Sequence, residues 1–587
     1  MTYNLVQDNP RLSCDAEWGY VPGREDCEPA MLVRCFCVVD GHGREHIFRE
    51  EDRDRLRKFI AANTSAVWMA WAAQSEMLAL RAWGLCVPPH WVDLLVCYRL
   101  MRNEIREVSQ EGGKAPMLRG GLYDALSYFG HPHQEVERKE SLRNLALRRP
   151  ASEAEWALLT EYCLSDSRAV RLLSKDIPLP ASTLYWGHYL QAVTEVQRQG
   201  TPFDVLTWSQ IQEQAPAVIR ALSDSTNAAF RQDGVDDVYQ GGHFREHVFQ
   251  AWVGAQGLAE VWPKTPSGLF RRDHDTLRDM EAVYPAIAPL RQCEDSRRNL
   301  GKRVLAVDRS TGKHHHPIWP FSSTTGRNQP TGWLPGMPRW MRFLAQAHPG
   351  HALIYADFTA QEFAIAAALS GDVNMKACYE HAGDPYINFG IHAGFCPSGT
   401  SKQDPVRARL KTVCLAQMYG QKAPGVALRL GVPLREAEDL VAAHKRLFPR
   451  FHAWRTDWVD HAVLSGQMHT RLGWRCAVSC DRPSAMMNWP VQAGGAEILR
   501  LATIALVRAG HPPCDLIHDA VLLHVPDSDV TATCEAIDTA FRFANNTYMP
   551  EVILRWKTEV YRHPLRWGEG SGGTDEEQWN RIRGIVQ

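Results

Sequence analysis

The first part of the chain alternates apolar runs of strand length with segments of helical spacing. Residues 32–40 form an apolar run that predicts a strand, and residues 75–83 predict a helix. The segment 92–101 fits either element, whereas 153–173 has clear helical periodicity. Two prolines within 177–182 then indicate a boundary. We therefore expect an α/β unit before this boundary.

The rest of the chain is mostly helical by pattern. Helical spacing dominates residues 183–308 and 361–461. Between them, 314–338 is dense in proline and glycine and predicts a loop. The three histidines at 314–316 are more typical of a solvated loop than of a metal site, because adjacent histidines rarely point at one centre.

Two aspartates stand at strand-like positions that are far apart in the sequence. Asp357 lies near the end of the apolar run 351–358, and Asp519 lies in the turn of a strand–turn–strand pattern at 514–525. Mg²⁺ prefers oxygen ligands, and two such ions about 3.5–4 Å apart catalyse phosphoryl transfer. Each aspartate alone is more typical of a turn or a cap. The pair is a metal-site hypothesis that depends on the residues between them.

Composition and charge narrow the function classes. The chain has 587 residues, of which 45% are hydrophobic and 22% are charged, so we expect several globular domains. A net charge of −2 argues against a small basic nucleic-acid module but leaves open a large enzyme with local basic patches. The 15 cysteines include no Cys-x-x-Cys pair, which favours reduced thiols over a disulfide framework or a zinc ribbon.

Neither targeting nor membrane insertion is indicated. The N-terminal residues contain no basic n-region and no apolar h-region, so we expect no secretory signal. The most apolar stretch, 65–86, is interrupted by Gln74, Glu76 and Arg81 and is too broken to span a membrane. We expect a cytoplasmic protein with no membrane partner.

Four residues spaced by four, Arg407, Lys411, Leu415 and Tyr419, predict one face of a helix. Two cations, an apolar residue and an aromatic ring can grip a triphosphate and stack on a base. No acidic residue occurs within 405–434, so we expect the positive field to be locally uncancelled. An amphipathic helix with a solvated basic edge is the alternative, and periodicity alone favours it.

Five segments, in order, resemble motifs of bacteriophage-type family A DNA polymerases, the family of the large fragment of bacterial DNA polymerase I. They are Thr325-Gly326-Arg327 (a T-x-T-G-R segment), Asp357 to Glu362 (motif A), Arg407-x3-Lys411-x7-Tyr419 (motif B), Asn488-x3-Gln492 (an N-x-x-x-Q helix) and His518-Asp519 (motif C). The resemblance covers about 184–587 and implies a right-hand fold. The implied parts are a thumb at 183–310, a palm at 311–360 and 476–587, and fingers at 361–475.

The resemblance also implies roles for these residues. Asp357 and Asp519 would bind two Mg²⁺ ions, with Mn²⁺ as an alternative. The implied nucleotide-binding residues are Arg407, Lys411, Leu415, Tyr419 and Glu362, with Lys411 also catalytic and Glu362 blocking a 2′-hydroxyl. The implied DNA-binding residues are Arg327, Asn488 and Gln492 on the minor-groove side, and His518 near the primer terminus.

Three positions depart from the family's pattern. Leu415 stands where Phe or Tyr is usual, and a branched aliphatic cannot stack as an aromatic does, which bears on sugar discrimination and nucleotide affinity. Ala520 replaces the usual Glu, so we expect reduced or relocated metal support without loss of activity. Ser484 occupies a position where Arg is common, so one minor-groove or ion-pair contact is expected to be missing.

The N-terminal part resembles a DnaQ-like 3′–5′ exonuclease, an RNase H-like fold, in residues 1–182. The carrying patterns are Asp15-x-Glu17 and Tyr162-x3-Asp166 on a helix. The resemblance implies a two-metal site in which Asp15, Glu17, Glu76 and Asp166 bind metal and catalytic Tyr162 orients the attacking water.

The middle motif of this exonuclease pattern is the weakest. Glu76 lacks the usual preceding Asn, and Asp93 is an alternative acid that is more typical of a helix cap. Upstream of residue 15 we expect no 5′-nuclease domain.

These features predict a multidomain α/β protein, in which an RNase H-like exonuclease domain precedes a right-hand polymerase. The expected function is template-directed DNA synthesis with 3′–5′ proofreading in phage genome replication, inside a bacterial host. Expected partners are primer-template DNA, deoxynucleoside triphosphates and replisome proteins, and we expect a monomer. Two alternatives stay open, an exonuclease with an inactive polymerase scaffold and a non-catalytic replication accessory protein. A preference for modified purines such as 2-aminoadenine is also open.

Overall fold

The computed structural model describes residues 9–20, 31–105, 120–132, 136–302, 305, 307–479 and 483–587. Strands and helices are numbered β1–β19 and α1–α23 in chain order within these residues.

The N-terminal unit is built on a five-stranded sheet. Its strands are β1 (Arg11–Tyr20), β2 (Met31–Val39), β3 (Glu45–Arg49), β4 (Val67–Ala70) and β5 (Trp91–Asp93), and a further short strand is β6 (Glu104–Ile105). The order is β3-β2-β1-β4-β5, with β1, β2 and β3 antiparallel and β4 and β5 parallel to β1. Apolar side chains such as Leu12, Cys14 and Ala16 of β1 are buried, because the sheet is covered by helices.

Six helices accompany this sheet. They are α1 (Arg53–Ala62), α2 (Gln74–Ala82), α3 (Leu94–Met101), α4 (Leu122–Tyr128), α5 (Val136–Arg148) and α6 (Glu153–Leu173). The long helix α6 packs across β1 and β2. The ambiguous segment 92–101 contains the end of β5 and all of α3, which begins directly after Asp93. The Asp93 carboxylate accepts hydrogen bonds from the backbone N–H groups of Ala72, Ala73 and Leu95, and it caps α3. The expectation that Asp93 is a helix cap is confirmed.

The next region is mostly helical, as predicted. Its elements are α7 (Thr183–Gln199), β7 (Thr201–Pro202), α8 (Val205–Glu213), α9 (Ala215–Gln232), β8 (Tyr239–Gln240), β9 (His243–Phe244), α10 (Glu246–Ala255), α11 (His274–Val283), α12 (Ala288–Lys302), β10 (Val307–Asp308) and β11 (Lys313–His314). Helix α7 packs against α2 and β5 of the N-terminal unit. The core of the following helices includes Phe249, Trp252 and Trp262.

The histidines at 314–316 do not form a solvated loop, so that expectation is wrong. His314 is 0% exposed, and His315 and His316 are each 5% exposed. The physical reason is non-local pairing, because β11 lies between β7 and β10 in a three-stranded sheet. His315 Nδ1 lies 2.9 Å from the Gln197 carbonyl oxygen, and His316 Nε2 lies 3.4 Å from the Asp515 carboxylate.

A second large sheet forms from segments distant in sequence. After β12 (Ile318–Trp319) and β13 (Gln329–Pro330) comes the long strand β14 (His351–Phe358). Later elements are α13 (Gln361–Ser370), α14 (Val373–Glu380), α15 (Pro385–Ala393), α16 (Val406–Met418), α17 (Ala423–Leu430), α18 (Leu434–Leu447), α19 (Pro449–Ser465), β15 (Gln467–His469), β16 (Arg475–Val478), α20 (Pro483–Met487), α21 (Trp489–Arg508), β17 (Asp515–Ile517), β18 (Ala520–Pro526), α22 (Val530–Tyr548), β19 (Trp556–Arg562) and α23 (Thr574–Val586).

This sheet has the antiparallel order β17-β18-β14-β19. Helices α21 and α22 pack on each other, and α22 also contacts β14 and β18. The sequence pattern correctly predicted β14, the two strands within 514–525 and the helices within 361–461. A short parallel pairing of β16 with β6 links the later part of the chain to the N-terminal unit.

Candidate functional site

The two aspartates predicted from the sequence meet in the four-stranded sheet. Asp357, the penultimate residue of β14, pairs with Ala520 at the start of β18. Asp519 directly precedes Ala520, and the Phe358 amide lies 3.4 Å from the Asp519 carbonyl oxygen that accepts from it. The antiparallel register therefore brings the two carboxylates to the same end of two neighbouring strands.

Burial is the largest influence on the pKa of each aspartate in this pair. Burial and then the charge of Asp519 raise the pKa of Asp357 to about 7, against an opposing effect of Lys411. Burial also raises the pKa of Asp519, although Arg327 and Lys411 act in the opposite direction. Two half-buried carboxylates whose ionised forms are disfavoured by burial make an oxygen-only donor set, which suits a hard divalent cation such as Mg²⁺.

Glu362 is the centre of a hydrogen-bonded network beside this pair. The Glu362 carboxylate accepts from the Gln492 amide at 3.2 Å and from the Asn488 amide at 3.5 Å. The Arg327 guanidinium lies 3.9 Å from the same carboxylate. Gln492 also donates to the hydroxyl of Tyr419, which follows the last residue of α16. The structure thus joins five predicted site residues from four separate segments.

The helix carrying the four-residue repeat is α16, and its two cations differ in environment. Lys411 is exposed and faces the aspartate pair closely enough to affect both pKa values. Arg407 instead forms a 2.7 Å ion pair with Asp384, the N-cap residue of α15. The expectation that no acid cancels the local charge is therefore wrong for Arg407, because the cancelling residue comes from another helix. Leu415 is half-buried and packs against the core.

Backbone strain flanks the aspartate pair. Ala360, just before α13, has φ of 48°, and His518, just before Asp519, has φ of 54°. For residues with a side chain this left-handed region costs on the order of 1–2 kcal/mol. Such conformations persist only where the surrounding structure holds them, and they place Glu362 and Asp519 at the starts of their elements.

Two residues that the sequence did not point to support His518. The Trp333 ring lies edge-on to the His518 imidazole, with centroids 5.3 Å apart. The Trp333 indole N–H is shared between both oxygens of Asp515, at 3.0 and 3.1 Å. Asp515 is 1% exposed, and burial raises its pKa to about 7. Trp333 lies in the segment predicted as loop, where nothing local signals this long-range contact.

Ala520 supplies no side-chain carboxylate, but the neighbouring strand β19 carries one on the face of Asp357. Ala520 is buried and offers no oxygen beyond its backbone. On β19, Lys557 pairs with Asp357 and Glu559 pairs with Tyr355, so their side chains share the face that carries Asp357. The charge of Glu559 contributes to the raised pKa of Asp357.

A second carboxylate cluster lies in the N-terminal unit. Oxygens of Asp15, Glu17 and Asp166 all lie within 4.8 Å of one another. Asp15 and Glu17 alternate along β1, and Asp166 reaches them from α6, which carries Tyr162 one turn earlier. Glu76, in the first turn of α2, is 2% exposed, and burial and then the charge of Asp15 raise its pKa. The structure groups Asp15, Glu17 and Asp166, and it sets Glu76 and Tyr162 near enough for these carboxylates to raise their pKa values after burial does.

The electrostatics of this cluster fit cation binding. Burial and neighbouring carboxylates raise the pKa of both Asp15 and Glu76 well above the ordinary values. Asp15 Oδ2 and Glu76 Oε2 are buried and accept no hydrogen bond from any residue that the structure describes. Tyr123 on α4 is a further neighbour of this cluster, and the sequence pattern did not indicate it. Burial and then the charge of Asp166 raise the pKa of its hydroxyl. An oxygen-only donor set of this kind suits Mg²⁺ or Mn²⁺.

No helix among the described residues combines the length and the apolar character needed to cross a bilayer.

Known proteins resemble this chain in its later part, which carries the Asp357–Asp519 pair. A family model described as DNA polymerase family A matches residues 264–563. The DNA polymerase of Mycobacterium phage D29 is 27% identical over 280 residues, covering 45% of each chain. DNA polymerase I of Chloroflexus aurantiacus is 23% identical over 378 residues, covering 58% of this chain and 38% of that protein. The match therefore covers less than half the length of each of these two relatives.

The fold agrees with a solved structure over nearly its whole length. The POL domain of Pol1 from M. smegmatis, in complex with DNA primer-template and dNTP, superimposes with a TM-score of 0.68. The match covers 95% of this chain and 96% of that domain at 19% sequence identity, which is a likeness of fold. Because the family model spans more than half of the sequence, the chain belongs to DNA polymerase family A.

Proposed function

We propose that this chain is a template-directed DNA polymerase that extends a primer 3′ end by two-metal phosphoryl transfer. The observation that carries the proposal is the pairing of β14 with β18, which sets Asp357 beside Asp519. Family membership and relatives named DNA polymerase support it. The matching mycobacteriophage polymerase favours phage genome replication in a bacterial cytoplasm as the setting.

Asp357 and Asp519 would hold the catalytic cations. Their raised pKa values indicate ionised forms that lack compensation in the protein alone, which is the condition that a divalent cation relieves. Two bound Mg²⁺ ions activate an attacking hydroxyl and stabilise the leaving oxygen in phosphoryl transfer. Glu559 is our candidate for the support that Ala520 does not supply, because it shares the face of Asp357.

The exposed side of α16 would bind the incoming nucleotide. Lys411 would meet the triphosphate, since it is exposed and its field already reaches both aspartates. Arg407 would contribute only by sharing or leaving its ion pair with Asp384. Tyr419 is 42% exposed and offers a ring for stacking, whereas Leu415 offers only aliphatic contact.

The network around Glu362 would check the sugar and the primer terminus. Three residues hold the Glu362 carboxylate in one position, so it can exclude a 2′-hydroxyl. Arg327, Asn488 and Gln492 would also contact the minor-groove side, where acceptors are degenerate and pair shape can be read without sequence. His518 would lie near the primer end. The partners we propose are primer-template DNA and deoxynucleoside triphosphates, the ligands named for the M. smegmatis domain.

We also propose that the N-terminal unit is a 3′–5′ exonuclease. The family match begins at residue 264, so this proposal depends on the carboxylate cluster itself. Asp15, Glu17, Glu76 and Asp166 would hold two divalent cations, and Tyr162 would orient the attacking water. The strand order β3-β2-β1-β4-β5 with α6 across it supports an RNase H-like assignment. The thumb, palm and fingers limits given above remain proposals.

Extension of a 5′-labelled primer on a template, with Mg²⁺ and all four deoxynucleotides, tests the polymerase proposal. We expect extension by the unmodified chain and a loss on the order of 10²–10³-fold in Asp519→Asn, because one of two cation-holding carboxylates is neutralised. Asp404→Asn is the matched control, since Asp404 is an exposed aspartate before α16. Equal extension by Asp519→Asn would mean that Asp519 does not hold a catalytic cation, and absence of extension by the unmodified chain would favour a scaffold or accessory role over catalysis.

A further inference from the structure

Three cysteines converge between the sheet and the long helix of the N-terminal unit. Cys35 and Cys37 lie on β2, and Cys163 lies on α6. Their sulfur atoms are all within 4.8 Å of one another, and each residue is 0% exposed. Every cysteine that the structure describes is a free thiol, so these three are not engaged in a disulfide.

The local structure explains why the three sulfurs meet. Cys35 and Cys37 are two residues apart on a strand and therefore point to the same face. They are paired across the β1–β2 ladder with Glu17 and Asp15, so that face also carries the carboxylates. Helix α6 covers this face and inserts Cys163 from above.

Backbone oxygens and the Asp15 carboxyl group lie beside the sulfurs. Cys163 Sγ lies 3.2 Å from the Asp15 carbonyl oxygen, and Cys37 Sγ lies 3.8 Å from the Thr160 carbonyl oxygen. Ser167 Oγ donates to the Cys37 carbonyl oxygen at 3.3 Å. These oxygens accept only weak hydrogen bonds from thiols, and the Asp15 carbonyl is placed to face a cation held by the sulfurs.

We propose that Cys35, Cys37 and Cys163 form a binding site for a thiophilic d10 cation, Zn²⁺ or Cu⁺. Soft thiolate ligands select such cations over Mg²⁺. A zinc–sulfur bond of about 2.3 Å places bound sulfurs roughly 4 Å apart, so the observed cluster needs little rearrangement. On binding, the three thiols release three protons and form three metal–sulfur bonds, and no electron is transferred.

This site adjoins the carboxylate cluster on the same face but differs from it in ligand chemistry. The carboxylates offer hard oxygen ligands, whereas the sulfurs offer soft ones, so each site selects a different class of cation. A cation on the sulfurs would tie β2 to α6. It would thereby hold Asp166 and Tyr162 of the helix against β1, whatever reaction the carboxylates perform.

The test uses the full chain, purified under anaerobic reducing conditions and freed of metal with a chelator. Cd²⁺ is added in the presence of excess Mg²⁺, and thiolate-to-cadmium charge-transfer absorption in the ultraviolet is followed. Mg²⁺ occupies carboxylate sites without producing this band, so the signal reports sulfur ligation alone. We expect saturation at one Cd²⁺ per chain, followed by displacement by Cu⁺ or by a large excess of Zn²⁺. Metal analysis of the chain purified without chelator distinguishes the two.

Variants assign the site to these residues. Cys37→Ala and Cys163→Ala should each weaken Cd²⁺ binding at least tenfold, whereas two controls should bind as the unmodified chain does. The controls are Cys86→Ala, an exposed cysteine, and Cys97→Ala, a buried cysteine outside the cluster. Three results would overturn the proposal: no saturable band in the unmodified chain, an unchanged band in both cluster variants, or a Cys163 disulfide in non-reducing peptide maps.

Discussion

Asp357→Asn should stabilise the metal-free protein at pH 8. The folded state raises the pKa of Asp357 from 3.8 to about 7, so folding opposes ionisation of this carboxyl group. The protonated form is favoured in the folded protein, and the resulting destabilisation is absent below about pH 4. It grows as pH rises through the window from about 4 to 7 and is complete above it.

The size of the effect follows from the pKa change. At 1.36 kcal/mol per pKa unit, a rise from 3.8 to about 7 corresponds to about 4 kcal/mol. Because Asp357 is only partly buried, solvent screening reduces this to roughly 2 kcal/mol. The asparagine variant should gain that amount at pH 8 and about one third of it at pH 5. For a cooperative unit of about 400 residues, which is roughly the part of the chain after residue 183, the gain corresponds to about 2 °C in midpoint temperature.

The assay is thermal and urea unfolding with a chelator at pH 5 and pH 8, followed by tryptophan fluorescence. Asp372→Asn is the isosteric control, and it should lower the free energy of unfolding where Asp357→Asn raises it. Asp372 is 1% exposed, and its oxygens accept the amides of Asn374, Met375 and Phe451, so the amide variant should lose about 1–3 kcal/mol. An Asp357→Asn variant that is less stable than the parent at pH 8 would refute the electrostatic reasoning.

The remaining predictions concern metal affinity and two buried polar contacts. With a pKa of about 7, Asp357 is about 90% ionised at pH 8 and about 10% ionised at pH 6. The apparent Mg²⁺ affinity measured by primer extension should therefore fall about tenfold when the pH is lowered from 8 to 6. An affinity that does not change with pH would contradict this. Trp333→Phe leaves the Asp515 carboxylate without its indole donor and should cost about 1–3 kcal/mol in urea unfolding, which an unchanged midpoint would exclude. Glu497→Gln strands the 1% exposed Arg500 cation and should cost about 3 kcal/mol or more, whereas a loss below about 1 kcal/mol would mean that solvent reaches the pair.

The elements that carry the sites could be predicted because their signals are local. The apolar run at 351–358 and the helical spacing at 153–173 each produced the expected element. Local patterns also placed Asp357 at the end of a strand and Asp166 on a helix. The segment 92–101 was ambiguous because it contains both elements, and the divide at Asp93 depends on amides from residues 72 and 73.

The contacts that could not be predicted are those between distant segments. The histidines at 314–316 are buried because β11 pairs with β7, which lies over 100 residues earlier. Arg407 is neutralised by Asp384 from a neighbouring helix, although its own helix contains no acid. Glu76 lacks the usual local context for a ligand, and only the packing of α2 on β1 sets it beside Asp15.

The central claim is that one chain carries two independent cation sites with opposite effects on a primer. The direct test incubates a 5′-labelled primer-template with Mg²⁺, with and without deoxynucleotides, using Asp357→Asn and Asp166→Asn. The account predicts that Asp357→Asn loses extension but still shortens the primer, and that Asp166→Asn loses shortening but still extends it. Loss of both activities in either variant, or of neither in both, would contradict the account.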